Sequence, residues 1–198
     1  MIFDHLKKST QELHNEAEAY NDASKVLDNS ITVEEYKDLL ITNYGSYKPL
    51  ENFIADNNDV LNNGFSSFAE FHKSKRIEKD LKCLGIISAD LELPIFKPNM
   101  VNLSYLLGII YVMEGSMMGG LMISKQMQKC EHLTTLPDQK FFNREVTQTL
   151  ERWNGFKEKV EDIENQINTE EITSGANDAF AFFKKAHIFY SEKKFLFS

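Results

Sequence analysis

The sequence predicts an all-α fold, and three observations carry that expectation. Apolar residues recur at three- and four-residue spacing along most of the chain, the period of a helix with one buried face. Proline is scarce, at 4 of 198 residues, so long helical runs go uninterrupted. No stretch alternates apolar and polar residues as a half-buried strand does. A length of 198 residues suits one domain, taken as residues 1–198, which can bury a large core without staples.

Residues 4–20 read as the first helix, with Leu6, Thr10, Leu13, Ala17 and Tyr20 on one face. His14 falls at the edge of that face, and Lys7 lies two turns before it on nearly the same side. Residues 21–30 read as a polar connection. A second helix spans residues 32–53, opened by a Thr32/Glu35 capping box and lined by Tyr36, Leu39, Leu40, Tyr44 and Tyr47. Pro49 marks a bend or a junction near its end.

An asparagine-rich turn at residues 57–64 leads to a helical region at 65–84. Its core candidates are Phe68, Phe71, Ile77, Leu81 and Leu84. The charge run Lys73, Lys75, Arg76, Glu78 and Lys79 reads as its solvated face. Residues 86–99, with Pro94 and Pro98, form a connector. A kinked helix is expected from about Asn102 to Cys130, then a turn around Pro137. Residues 141–167 form another helix, through Val146, Leu150, Trp153, Phe156, Val160, Ile163 and Ile167. Residues 169–175 separate it from a last helix carrying Ala176, Phe180, Phe183 and His187.

The stretch YLLGIIYVMEGSMMGGLM at 105–122 breaks helical preference. Gly108, Gly115, Gly119 and Gly120 sit within it, each costing roughly 1 kcal/mol against alanine. Gly108, Gly115 and Gly119 fall near one stripe, open either to a closely packed helix or to a ligand lying on the backbone. Glu114 and Ser116 make the stretch too polar, and its length too short, for a comfortable membrane span.

Composition narrows the function. A net charge of −8 argues against a general nucleic-acid binder. Cys83 and Cys130 form neither a zinc spacing nor a disulfide framework, so a reducing cytoplasm is the expectation. The opening MIFDHLKKST lacks the apolar run of a signal peptide, and the closing SEKKFLFS is too short to anchor in a bilayer; no stable membrane insertion is expected. His5, His14, His72, His132 and His187 form no HExxH motif and no ExxH pair of a di-iron bundle. Ser116 sits in EGSMMGG, not in a GxSxG elbow.

Taken alone, His14 reads either as an ordinary histidine on an apolar edge or as an axial ligand to haem iron. Haem needs a nitrogen donor, apolar walls and cations for its propionates. His14 offers the nitrogen. Leu13, Ala17, Ile110, Met118 and Phe180 are wall candidates, and Lys7, Arg152 and Lys157 are the propionate candidates.

Two blocks resemble the haem oxygenase family, particularly its soluble bacterial branch. LKKSTQELHNEAEAYN at 6–21, through Thr10, His14, Ala17 and Glu18, resembles the family's proximal helix. LLGIIYVMEGSMMGG at 106–120 resembles its distal helix. A weaker match covers Trp153, Phe156 and the region of Phe180. The resemblance implies His14 as axial ligand, with Glu18 accepting from its ring. It implies Gly115 and Gly119 as the glycines that let the backbone lie close to haem, with Gly120 as the adjoining flexible position.

The activity implied is cleavage of haem, substrate and cofactor at once, by O2 to biliverdin, carbon monoxide and ferrous iron. The electrons would come from an external reductase or ferredoxin-type donor, because no flavin or nicotinamide fingerprint is present. Ser116 stands where the membrane-anchored animal branch has an acid, leaving Ser116 and Glu114 as the nearby candidates for proton delivery. Gln11 replaces one basic position of that branch, and Lys7 matches the other. The alternatives are a haem sensor or carrier of the same fold that does not degrade haem, and a purely structural helical module.

Overall fold

The structure is a computed structural model. It describes the chain except for residues 21, 22, 71, 128, 138, 143, 144 and 195–198, and except for the side chains of residues 23, 62, 63 and 194. Phe71, expected in the core, lies outside the described residues. Among the described residues the chain forms nine α-helices and no strand.

The first expected helix is two: α1 (Ile2–Ser9) and α2 (Gln11–Ala19). Thr10 makes the junction. Its hydroxyl donates to Leu6 O at 2.8 Å, a local bond that competes with the helix and bends it. A short α3 (Ala23–Leu27) occupies part of the connection. Next, α4 (Val33–Asp56) opens on the expected capping box: Glu35 N–H donates to Thr32 Oγ1 at 3.2 Å, and Thr32 N–H to Glu35 Oε2 at 2.9 Å. Pro49 lies within α4 without ending it.

The region at 65–84 is likewise two helices, α5 (Asn62–Ala69) and α6 (Lys73–Cys83). Glu51 of α4 accepts the first N–H groups of α6, from Lys73 at 3.1 Å and Ser74 at 3.2 Å. Lys73 is buried rather than solvated, a departure from the expected charged face.

Asn102 caps α7 (Leu103–Met127) by accepting from Tyr105 N–H at 2.9 Å. The next helix, α8 (Val146–Asp162), starts later than its apolar period suggests. The buried carboxylate of Asp80 accepts from both Lys140 N–H and Phe141 N–H at 2.7 Å, which holds this segment as a loop. Val146 and Leu150, expected on the buried face, are exposed. Last, α9 (Thr169–Lys194) runs unbroken through the segment expected to separate helices.

The α7–α9 pair forms the centre of the fold. A Cβ on Gly108 would lie 2.0 Å from Ile172 O, and one on Gly175 would lie 2.0 Å from Tyr105 O. The two backbones are therefore in direct contact, and both glycines are required there. Leu106, Leu107 and Ile110 are fully buried around this crossing. At 25 residues α7 is long and apolar enough to cross a membrane by length and composition, contrary to the estimate from the shorter stretch; half of its most apolar window is packed inside the fold.

Candidate functional site

A cavity of about 690 Å³ opens between α1, α2, α4, α7 and α9, with the 141–142 loop and Trp153 of α8 completing its walls. That size suits a drug-sized or larger organic ligand. His14 lines it from α2. Gly115, Ser116, Met118, Gly119 and Gly120 line it from α7, and Phe180 from α9. Lys7, Ala17 and Glu18 complete the set of expected residues that face it.

The His14 side chain is 43% exposed, with Nε2 3.6 Å from Glu18 Oε1. Its ring meets Phe180 edge-on, with centroids 5.4 Å apart. Nδ1 is buried and has no hydrogen-bond partner among the described residues. Neither ring nitrogen is thus committed to a close protein bond, although a buried nitrogen left unpaired is costly. That is the donor capacity an iron-centred ligand uses.

The stripe of glycines divides along its length. Gly108 belongs to the α9 contact, whereas a Cβ on Gly115 would meet only Trp153 at 3.7 Å, and Gly119 and Gly120 have nothing within 4 Å. The cavity face of α7 is therefore bare backbone at these glycines, with the side chains of Ser116 and Met118 beside them.

On the same wall Ser116 Oγ donates to Met113 O at 2.7 Å and accepts from the Tyr47 hydroxyl at 2.9 Å. Tyr111 also lines the cavity, and burial pushes its phenol up against the lowering effect of a hydrogen bond with Thr10.

Glu114 is turned elsewhere. It is 2% exposed and accepts from Lys73 Nζ at 3.1 Å and Arg152 Nε at 2.9 Å. Burial pushes its carboxyl up, but the charges of Lys73 and Arg152 outweigh that and hold it below the usual range. It is an ionised anchor, not a proton donor to the cavity. Arg152 is committed to Glu114 and to Ser67 O, at 3.2 Å. Lys157 stands 5.6 Å from the centroid of Trp153 and does not line the cavity. Ile110 is buried behind the wall, and Leu13 packs half-buried against the core.

Among the described residues Lys7 is the only lysine or arginine lining the cavity. No group of three or more histidine, cysteine or carboxylate side chains suited to a metal ion occurs among them either.

Sequence reasoning missed Tyr47, read only as core, and Phe141 and Phe142, placed in a helix. His187 also lines the cavity. Its spacing of seven from Phe180, two turns along α9, was the available signal.

These features define an all-helical protein with a large cavity that has two histidines and a glycine-bearing helix face on its walls. A family model described as Heme oxygenase matches residues 2–187, and the chain belongs to that family. A solved structure of the NO- and CO-bound heme oxygenase from Neisseria meningitidis is similar to it with a TM-score of 0.71, at 21% sequence identity, covering 96% of this chain and 92% of that one. No curated protein matches the chain.

Proposed function

We propose that this protein binds haem in the cavity, with His14 as axial donor, and cleaves it to biliverdin, carbon monoxide and ferrous iron. The observation that carries the reading is that His14 and the Gly115–Gly119 backbone face one cavity of about 690 Å³ in a chain of this family. Bound haem would supply the iron at which O2 is reduced, with electrons from an external reductase or ferredoxin-type donor.

The protein's own part is positional. Glu18, one turn beyond His14, is placed to accept the ring proton that iron does not displace, once the ring turns to use both nitrogens. Phe180 and Met118 give the porphyrin faces apolar contacts, and Lys7 takes a propionate. Gly115 and Gly119 leave room for the porphyrin to approach the α7 backbone. Ser116 keeps a lone pair for water in the cavity while its proton is held on Met113 O. Water must carry protons here, because Glu114 is ionised and turned away.

A haem sensor or carrier of the same fold that does not degrade haem is the second reading. Haem turnover with a competent reductase and catalase separates the two, by Soret loss, carbon monoxide release and chromatography of the pigment. The proposal expects all three signals. Haem that binds O2 reversibly and yields neither carbon monoxide nor pigment establishes the carrier.

A further inference from the structure

Glu114 directly precedes the cavity-facing pair Gly115 and Ser116, yet its side chain points out of the cavity into a charged cluster. Its two carboxylate oxygens are divided: Oε1 takes Lys73 of α6 at 3.1 Å, and Oε2 takes Arg152 of α8 at 2.9 Å. Arg152 also donates to Ser67 O of α5, and Lys73 N–H donates to Glu51 of α4. Three helices thus meet at one carboxylate, and its two partners extend the network to α5 and α4.

Burying such charges is costly, and packed apolar side chains often hold helices together as well or better. Apolar contacts are non-directional, however, whereas charge-assisted hydrogen bonds fix distance and angle. A close backbone contact is what α7 lacks at this point. Around Gly108 the backbone is keyed against Ile172 and Ala176, but Gly115 has only Trp153 in ordinary contact and Gly119 nothing within 4 Å. At Gly115 and Gly119 themselves no side chain helps to set the helix's rotation and height, and Ser116 between them is tied to Tyr47.

We propose that Lys73, Glu114 and Arg152 are a positioning clamp for this wall. The clamp fixes α7 at Gly115 and Ser116 and so sets the space between that backbone and the bound haem; the inference rests on the haem reading. Lys73 Nζ also lies 5.9 Å from the centroid of the Tyr47 ring, so the clamp backs the residue that donates to Ser116.

The test uses the full chain loaded with haem, reduced and saturated with carbon monoxide. Infrared spectroscopy reads the C–O stretch, which responds to the polar groups and backbone around the bound molecule. The variants are E114Q and the apolar triple K73M/E114L/R152L, which removes all three charges of the clamp together. The parent should give one narrow band. The triple variant should unfold at or above the parental temperature, yet show a band at least doubled in width or split. E114Q should broaden likewise and unfold earlier.

A folded triple variant with the parental band overturns the clamp, and so does E114Q with the parental band if the triple variant fails to fold. These results leave the haem reading standing. Absence of a Soret band in the parent removes both.

Discussion

The Tyr47 hydroxyl donates to Ser116 Oγ across 2.9 Å, tying α4 to the cavity wall of α7. The bond is directional: Ser116 spends its own proton on Met113 O, so it serves Tyr47 only as acceptor. The two truncations should therefore differ. Ser116→Ala withdraws the acceptor from a buried phenol and should cost about 1–3 kcal/mol. Tyr47→Phe removes the donor while Ser116 keeps its carbonyl, and should cost about 1 kcal/mol or less. Urea unfolding of the unliganded proteins checks the order; a larger loss for Tyr47→Phe would contradict this direction of donation.

The glycines of α7 should respond according to their neighbours, not their shared stripe. At Gly108 alanine places its Cβ 2.0 Å from Ile172 O and 2.7 Å from Ala176 N, both backbone atoms. Gly108→Ala should reach or exceed the ~1–3 kcal/mol typical of overpacking. At Gly119 the space is open, so Gly119→Ala should gain up to about 1 kcal/mol of helix propensity. Gly119→Leu should stay folded but lower haem affinity tenfold or more, because its side chain enters the proposed site. Thermal unfolding and haem titration on the same samples decide it; normal haem affinity in Gly119→Leu would assign the glycine to another role.

What could be read from the sequence was what repeats locally. Helical period placed His14, Phe180 and the 105–122 stretch, and the Thr32/Glu35 cap fixed the start of α4, because those signals lie within a turn or two. Partners distant in sequence were invisible. Lys73 looked like part of a solvated charge run, but Glu114, 41 residues away, takes it into the core. Arg152 looked like a propionate contact, but the same carboxylate claims it. Phe141 continued an apolar period, yet Asp80, 61 residues earlier, binds its N–H and makes a loop that reaches the cavity. Residues 169–175 looked like a separation between helices, although Gly175 at their end marks the close crossing with Tyr105.

Stability should depend on pH through Glu114. Its carboxyl has an ordinary value of 4.5 and is held lower in the fold, because Lys73 and Arg152 outweigh the upward push of burial. A depressed acid contributes fully above its unfolded value and loses that contribution as pH falls through the folded one. Glu114→Gln should therefore cost ~3 kcal/mol near neutrality, mostly from removing the carboxylate that faces the buried Lys73 ammonium. The Arg152 share is discounted, since that side chain is 36% exposed. The gap between parent and variant should close as pH drops below 4.5. Denaturant titrations across pH 3–7 test it; a gap that widens with acid would reverse the sign of the argument.

Two histidines line the cavity, and their positions assign them different roles. His14 packs edge-on against Phe180, while His187 lies seven residues further along α9, about 10.5 Å of helix rise away. His14 has a buried Nδ1 without a protein partner and a Glu18 carboxylate within one turn, the pairing that orients a ligating imidazole. His14→Ala should abolish the axial signature in electron paramagnetic resonance and lower haem affinity at least tenfold. The apolar walls should still hold porphyrin, and added imidazole should enter the vacated space and restore the signal. His187→Ala should leave the axial signature as it is. An unchanged spectrum in His14→Ala, or its loss in His187→Ala, would assign the iron to His187 instead.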